Sequence, residues 1–380
     1  MIPGQPPEYP AAVLDSIRLQ NFKTHRDTEI KLGRLTVLVG PNGAGKSSVL
    51  QAIELLREPT KRSAYKSIAR PGEIIGDCEI QIAGHYANGN PWSLTSRGAS
   101  MGSWVRNPPA LDATQASATQ IDGNHANESP FGAIIGSWRP VLDATQASQK
   151  ELDTSLRAVM LTPDPETMAA PIRITDVSPQ LHRSGWGLAD VVATMRDNDE
   201  DSFQALQAAL RAVVPQVERI KVQRQLITED SSKYVAYGLL FDVAGRKDIP
   251  ASAMSGGTLL ALAILALLHS PQRPRILLLD DIDHGLHPKA QWDLLKQLRR
   301  LLDQFPDLQI VATSHSPDLV DELDPSEVVV LALREDGTSA AKPLTACPRE
   351  DMLGVLKAGQ LWSAIGEDWV KSDDSAEPVP

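Results

Sequence analysis

Gly40-Pro41-Asn42-Gly43-Ala44-Gly45-Lys46-Ser47 is the stretch from which the fold of this chain can be read. It matches G-x-x-x-x-G-K-[ST], and its flanks supply the context that pattern requires. Residues 34–39 (RLTVLV) form an apolar strand before it, and residues 46–57 (KSSVLQAIELLR) carry helical spacing after it. Glycines let backbone N–H groups turn toward a phosphate, and the helix that follows adds the positive end of its dipole. In that setting Gly40, Pro41, Asn42, Gly43, Ala44 and Gly45 cradle a nucleoside triphosphate, with Ser48 in the same first helical turn. Lys46 is placed to neutralise the β- and γ-phosphates, and the Ser47 hydroxyl to ligate Mg²⁺. A bare glycine-rich turn would need neither the strand nor the lysine–serine pair.

Three further motifs follow. Ser255-Gly256-Gly257 opens an apolar helix; a serine and two glycines at a helix N-terminus make a second anion-binding tip. Taken alone, SGG is a common turn, but here it precedes an acidic strand by about two dozen residues. That strand is Arg275-Ile276-Leu277-Leu278-Leu279-Asp280-Asp281. A buried strand ending in acids brings them beside the phosphate loop, with Asp280 on the Mg²⁺ side and Asp281 placed to orient or deprotonate a water. The last motif, Ala312-Thr313-Ser314-His315-Ser316-Pro317, ends another buried strand. A lone histidine at a strand end is usually structural. In this order His315 reads instead as a group that hydrogen-bonds the γ-phosphate and reports nucleotide state.

Phosphate loop, SGG, LLLDD and a strand ending in TSH is an order that resembles the ABC-type ATPases. Residues 16–50 (SIRLQNFKTHRDTEIKLGRLTVLVGPNGAGKSSVL) resemble the N-terminal signature of the soluble SMC-like, RecF-like and OLD-like branch, and Gly285-Leu286-His287-Pro288 resembles its D-loop. The resemblance covers residues 12–56 and 250–335. It implies an α/β ABC-ATPase head with a mixed, mainly parallel phosphate-loop sheet, an antiparallel β-subdomain and a helical signature subdomain. It implies ATP and Mg²⁺ as cofactors, ATP hydrolysis, and a homodimer that sandwiches ATP. In that sandwich Ser255, Gly256 and Gly257 close on the γ-phosphate held by a second copy's Gly40–Ser47. Lys23, in Asn-Phe-Lys, would reach a nucleotide phosphate. A glutamine that senses Mg²⁺ belongs between the first two motifs, and Gln81 is the candidate.

Two departures bear on function. Asp281 stands where the family has Glu, one methylene longer, so hydrolysis is slow unless the backbone adjusts. Thr258 stands where transporter ATPases have Gln, which argues against a transporter's nucleotide-binding subunit. The stretch after residue 335 is shorter than the nuclease domain of OLD-like proteins. The resemblance therefore implies an ATP-driven switch in DNA repair or antiviral defence that acts on a separate nuclease-like effector, with DNA as a further partner. A slowly hydrolysing, ATP-locked scaffold is the alternative that Asp281 keeps open.

Composition sets the remaining bounds. The 380 residues are 42% hydrophobic but only 4% aromatic, so the core is built from Leu, Val, Ile and Ala. A net charge of −11 disfavours nonspecific DNA binding, so any DNA contact needs a local basic surface. Candidates are Lys61, Arg62, Lys66 and Arg70, with Arg219, Lys221 and Arg224. Two cysteines, Cys78 and Cys347, make no disulfide framework. The most apolar run, Leu259–Leu268, is about half of a membrane span, and the N-terminus lacks a signal pattern, so the expectation is a cytoplasmic chain off the membrane. Asp281, Asp283, His284 and His287 read as nucleotide-loop residues rather than a metal cluster. The expected organisation is an ATPase domain over 12–335, a C-terminal helical extension over 336–370 and a disordered acidic tail over 371–380. Within the domain lie a loop-rich insertion (98–150), carrying LDATQAS twice at Leu111–Ser117 and Leu142–Ser148, and a helical segment (188–225).

Overall fold

The computed structural model describes residues 12–57, 78–86, 91–98, 103–107, 139–141, 158–174, 179–229 and 232–372. Its centre is set by strands with no polar face. Leu35–Val39 (β3), Ile276–Leu279 (β13) and Gln309–Thr313 (β14) are buried along their whole length, as strands covered on both sides must be. With Ala158–Leu161 (β8), Val328–Leu333 (β15) and Ser339–Pro343 (β16) they form a sheet of order β16-β15-β3-β14-β13-β8. All its pairings are parallel except β15 with β16 at the edge.

Alternate residues of these strands feed two apolar clusters. Leu38, Ile276, Leu278 and Val311 join Val49, Leu50 and Ile53 of helix α1 (Lys46–Arg57). Ile17 and Leu19 of β1 (Ala12–Phe22) and Ile30 of β2 (His25–Lys31) complete that side. These two strands belong to an outer sheet that continues through β4 (Cys78–Tyr86), β5 (Pro91–Gly98), β6 (Ser103–Asn107) and β7 (Arg139–Val141), antiparallel except for β6 with β7. The two sheets are clasped by buried Gln309. Its amide donates to the carbonyls of Leu14 (2.8 Å) and Gly33 (2.7 Å) and accepts from Leu14 N (2.9 Å).

On the opposite face, Val37, Leu277, Leu279 and Ile310 meet helix α5 (Gly256–His269), buried from Gly257 to Leu268. That burial explains its unbroken apolar sequence; no described helix is long and apolar enough to cross a membrane. Short α2 (Pro165–Ala169), then α3 (Leu188–Asn198), α4 (Glu200–Val213) and α6 (Pro288–Gln304) surround it. The second antiparallel sheet packs here too. It is the long hairpin β10 (Val217–Glu229) and β11 (Ser232–Val243), flanked by β12 (Arg246–Pro250) and β9 (Ile172–Arg173).

Three expected segments differ. Helix in 188–225 ends at Val213; Pro215 follows, and β10 begins at Val217 with a strand-like alternation. The 336–370 extension is only partly helical. A turn at Arg334–Gly337, with Gly337 at φ 77°, returns the chain as β16, and helix is confined to α8 (Ala358–Ile365) plus two turns of 3₁₀ helix, Leu344–Ala346 and Asp368–Val370. The 98–150 insertion contributes β6 and β7 to the outer sheet. The LDATQAS copies, residues 373–380 of the tail and the basic residues Lys61, Arg62, Lys66 and Arg70 lie outside the described residues.

Candidate functional site

The site forms where the parallel strands end. Gly40, Gly43 and Gly45 take positive φ of 137°, 82° and 96°. Two of them are also sterically required. A Cβ on Gly40 would meet the Leu331 carbonyl at 2.1 Å, and one on Gly45 would meet His25 Nε2 and Ser339 Oγ, both at 2.6 Å. Pro41, Asn42 and Gly43 form the exposed rim, and Ala44 is buried beneath it. Ser48 N closes the first helical turn onto the Gly45 carbonyl (3.0 Å). Lys46 is buried, and its ammonium donates to the carbonyls of Gly40 (2.8 Å) and Pro41 (3.0 Å). Burial lowers its pKa, while the carboxylates of Asp281, Asp280, Glu367 and Asp283 oppose that shift.

Next to the lysine, Ser47 Oγ donates to Asp280 Oδ1 at 2.8 Å, joining two positions that are 233 residues apart in sequence. A hydroxyl and a carboxylate in contact are the hard-oxygen pair that Mg²⁺ takes from a protein, the rest of its shell being water and phosphate. The chemistry of this donor pair therefore fits the ion. Thr313 Oγ1 also donates to Asp280 Oδ1 (2.9 Å) and accepts from Asp281 N (2.8 Å), so one hydroxyl sets both acids. Asp281 has φ 55°, a left-handed backbone in a non-glycine residue. Its half-exposed carboxylate lies 3.9 Å from His315 Nε2. His315 N donates to Asp283 Oδ1 (3.3 Å), which fixes the turn that carries the imidazole.

Lys23 arrives from the turn between β1 and β2, at φ 53°. Its ammonium donates to Gln51 Oε1 on α1. Burial lowers the Lys23 pKa, the Arg183 guanidinium lowers it further, and Asp280 raises it. Beneath the loop, fully buried His25 bonds to the Gly45 carbonyl through Nε2 (3.1 Å), and its Nδ1 has no partner. Burial pushes the His25 pKa down to about 4.

Ser255 caps α5, its hydroxyl accepting from Thr258 N (3.2 Å) and sharing a hydrogen bond with Thr258 Oγ1 (2.8 Å). A Cβ on Gly257 would lie 2.2 Å from the Gly285 carbonyl, and one on Gly256 would lie 2.9 Å from Pro165 Cγ. The glycines thus let the tip of α5 press against Gly285 and α2. Lys46, Ser47, Asp280, Asp281 and His315 gather beyond the C-terminal ends of β3, β13 and β14, while Ser255–Gly257 contact the Gly285 loop.

Gln81 lies within β4, opposite Arg18 in the outer sheet. The strand that neighbours the acid strand is β8, and Asp280 N donates to its last carbonyl, Leu161 (3.0 Å). After β8 comes Thr162, whose hydroxyl accepts from Arg183 Nε (3.0 Å); Arg183 Nη1 pairs with Glu54 on α1 (3.0 Å). Sequence reading missed Thr162, Arg183 and His25. The first two lie far apart in sequence and match no motif, and a buried histidine next to Lys23 has no local signature.

Comparison with known proteins agrees with this geometry. Residues 13–129 match the family model described as "AAA ATPase domain", and residues 175–321 match "AAA domain, putative AbiEii toxin, Type IV TA system". The chain is 35% identical over 97 residues to the DNA double-strand break repair Rad50 ATPase of Methanopyrus kandleri, covering 25% of this chain and 11% of that protein. It is 24% identical over 349 residues to the Septu protein PtuA of Bacillus mycoides, covering 85% of this chain and 41% of the relative. The chain thus spans well under half the length of these relatives. An SMC head crystallised with the C-winged helix domain of ScpA superposes with a TM-score of 0.56 at 15% identity, covering 87% of this chain and 97% of that one. At that identity the likeness speaks for the fold, and it is the same fold: parallel phosphate-loop sheet, antiparallel sheets and helical face. Phosphate loop, acid strand and serine-glycine helix tip, in this fold and with these matches, make the chain similar to ABC-type ATPases and give it the fold of an SMC head.

Proposed function

We propose that this chain is an ATP-driven dimeric switch in DNA repair or antiphage defence that acts on a separate, nuclease-like effector. Gly40–Ser47 holds the triphosphate, Lys46 neutralises it, and Ser47 with Asp280 holds Mg²⁺. Bound Mg²⁺ supplies charge neutralisation at the β- and γ-phosphates. Asp281 orients the attacking water and takes its proton, and His315 senses the γ-phosphate. Lys23 adds a cation beside the phosphates. Ser255, Gly256 and Gly257 present the positive end of α5 to the nucleotide of a second copy. The observation that carries this reading is the Ser47–Asp280 contact, with Thr313 setting Asp280 and Asp281 together. The printed role of the Rad50 relative, double-strand break repair, supports the repair arm, and the AbiEii toxin wording of the family model supports defence.

Lys221 is held between Asp242 (2.6 Å) and Asp248 (2.9 Å), and the Arg224 guanidinium lies over the Tyr237 ring. Arg219 and Arg224 are the exposed cations of that trio.

The test is ATP-dependent dimerisation and turnover of the purified chain. Lys46→Ala should lose nucleotide affinity by tenfold or more; Ser255→Arg should keep ATP binding and lose the dimer. A Lys46→Ala variant that binds ATP like wild type removes the phosphate-loop assignment. An ATP-locked scaffold remains the second reading, favoured by the short acid at 281, and a wild-type turnover equal to that of Asp281→Asn would select it.

A further inference from the structure

Gln291 lies in the first turn of α6, just after Gly285-Leu286-His287-Pro288, and is buried. Both ends of its amide are used. Nε2 donates to the carbonyl of Leu286 (2.9 Å) and, at longer range, to that of Asp283 (3.4 Å). Oε1 accepts from Ser316 Oγ (2.7 Å). A buried amide bonded at both ends holds two backbone segments at a fixed spacing, because releasing either end strands a polar group away from water.

The bond to the Leu286 carbonyl alone would be an ordinary local stitch at a helix start. The bond to Ser316 is not local. Ser316 sits 25 residues further on, next to His315, and its hydroxyl also accepts from Leu319 N (3.3 Å) to cap the short helix α7 (Pro317–Val320). The two segments that Gln291 joins are the acid loop, Asp281 to His287, and the turn that carries His315.

Each segment has another tie. His315 N donates to Asp283 Oδ1 (3.3 Å). Gly285 packs against the backbone of Gly257 closely enough to exclude a Cβ there. The contacts therefore run without a break from the Ser255–Gly257 tip through Gly285, Leu286 and Gln291 to Ser316 and His315. In the ATP-sandwich reading, one end of that path faces the nucleotide of its own copy, and the other is the surface offered to a second copy.

We propose that Gln291 is a positioning residue that makes His315 and the Ser255–Gly257 tip move as one body, so that nucleotide contact at His315 sets the face presented to the second copy. This rests on the ATP-sandwich reading above. Gln291 touches no nucleotide; it acts through Leu286 and Ser316.

Two substitutions in the full chain test it. Gln291→Met keeps length and volume and removes all three bonds. Gln291→Glu keeps the acceptor and points a carboxylate at two carbonyls. The readouts are Kd for a fluorescent ATP analogue, kcat and KM, and the ATP-dependent dimer fraction by light scattering. The expected split is a Kd within about twofold of wild type, with kcat and dimer fraction down about tenfold and Glu worse than Met. Ser316→Ala cuts the same link from the other side and guards against a Gln291 variant that folds poorly. It should reproduce the split, and the double variant should add nothing further. Variants that dimerise and turn over like wild type overturn the proposal, as does a kcat loss matched by an equal loss of ATP affinity, or full additivity of the pair. A wild type that binds ATP yet never dimerises removes the sandwich reading itself, which separates the two failures.

Discussion

Asp281 is held at φ 55°, where a non-glycine backbone costs about 1 kcal/mol. Thr313 Oγ1 secures that conformation by accepting from Asp281 N (2.8 Å). Asn tolerates the left-handed region, so Asp281→Asn removes the proposed base without disturbing the turn. Turnover should fall by about 10²-fold or more while ATP affinity stays within a few-fold; single-turnover kinetics check it, and unchanged chemistry would remove Asp281 from the mechanism. His25 gives a second expectation. Its pKa is about 4 in the folded chain against an ordinary 6.5. The unfolded chain therefore takes up a proton below 6.5 that the folded chain refuses, so stability is lost as pH falls from 6.5 toward 4, by about 3 kcal/mol in total. His25→Gln keeps a donor for the Gly45 carbonyl without a titrating group. Its urea midpoint should fall less than that of wild type between pH 7 and 5, and parallel curves would show that His25 protonates freely in the fold.

At the scale of elements, the clasp between the two sheets rests on one side chain. Gln309→Leu strands the Leu14 and Gly33 carbonyls and Leu14 N in the interior, at a cost of about 2–4 kcal/mol by urea unfolding. A loss under 0.5 kcal/mol would mean water replaces the amide. What sequence reveals at this scale follows from burial. Leu35–Val39, Ile276–Leu279 and Gln309–Thr313 are legible because strands covered on both faces become unbroken apolar runs, and α1 because it opens at the phosphate loop itself. β8, Ala158–Leu161, is a four-residue run with no acid pair or glycine loop to mark it, and with it went Thr162. β16 is SAAKP, whose pairing comes from the Gly337 turn rather than from any apolar pattern. Arg183 reaches Thr162 from a remote loop, so no local spacing announces it. Gln291 reads as one more polar position near the start of an amphipathic helix; only the distance to Ser316 gives it a role.

For the whole molecule, charge and the proposed ATP sandwich pull in opposite directions, and range decides between them. Each copy carries −11, so two copies repel through solvent before they touch. The attraction is local: a triphosphate on one copy against the Ser255-capped end of α5 on the other, dehydrated on contact and little screened. Salt shortens the reach of the repulsion from about 30 Å at 0.01 M to about 8 Å at 0.15 M and barely touches the contact term. The association rate of the ATP-loaded Asp281→Asn chain should therefore rise several-fold across that range, with the dissociation rate nearly constant. Stopped-flow energy transfer between two labelled pools measures both. An association rate that falls with salt would mean that complementary patches steer the encounter, and the net acidity of the chain would then have no part in timing the switch.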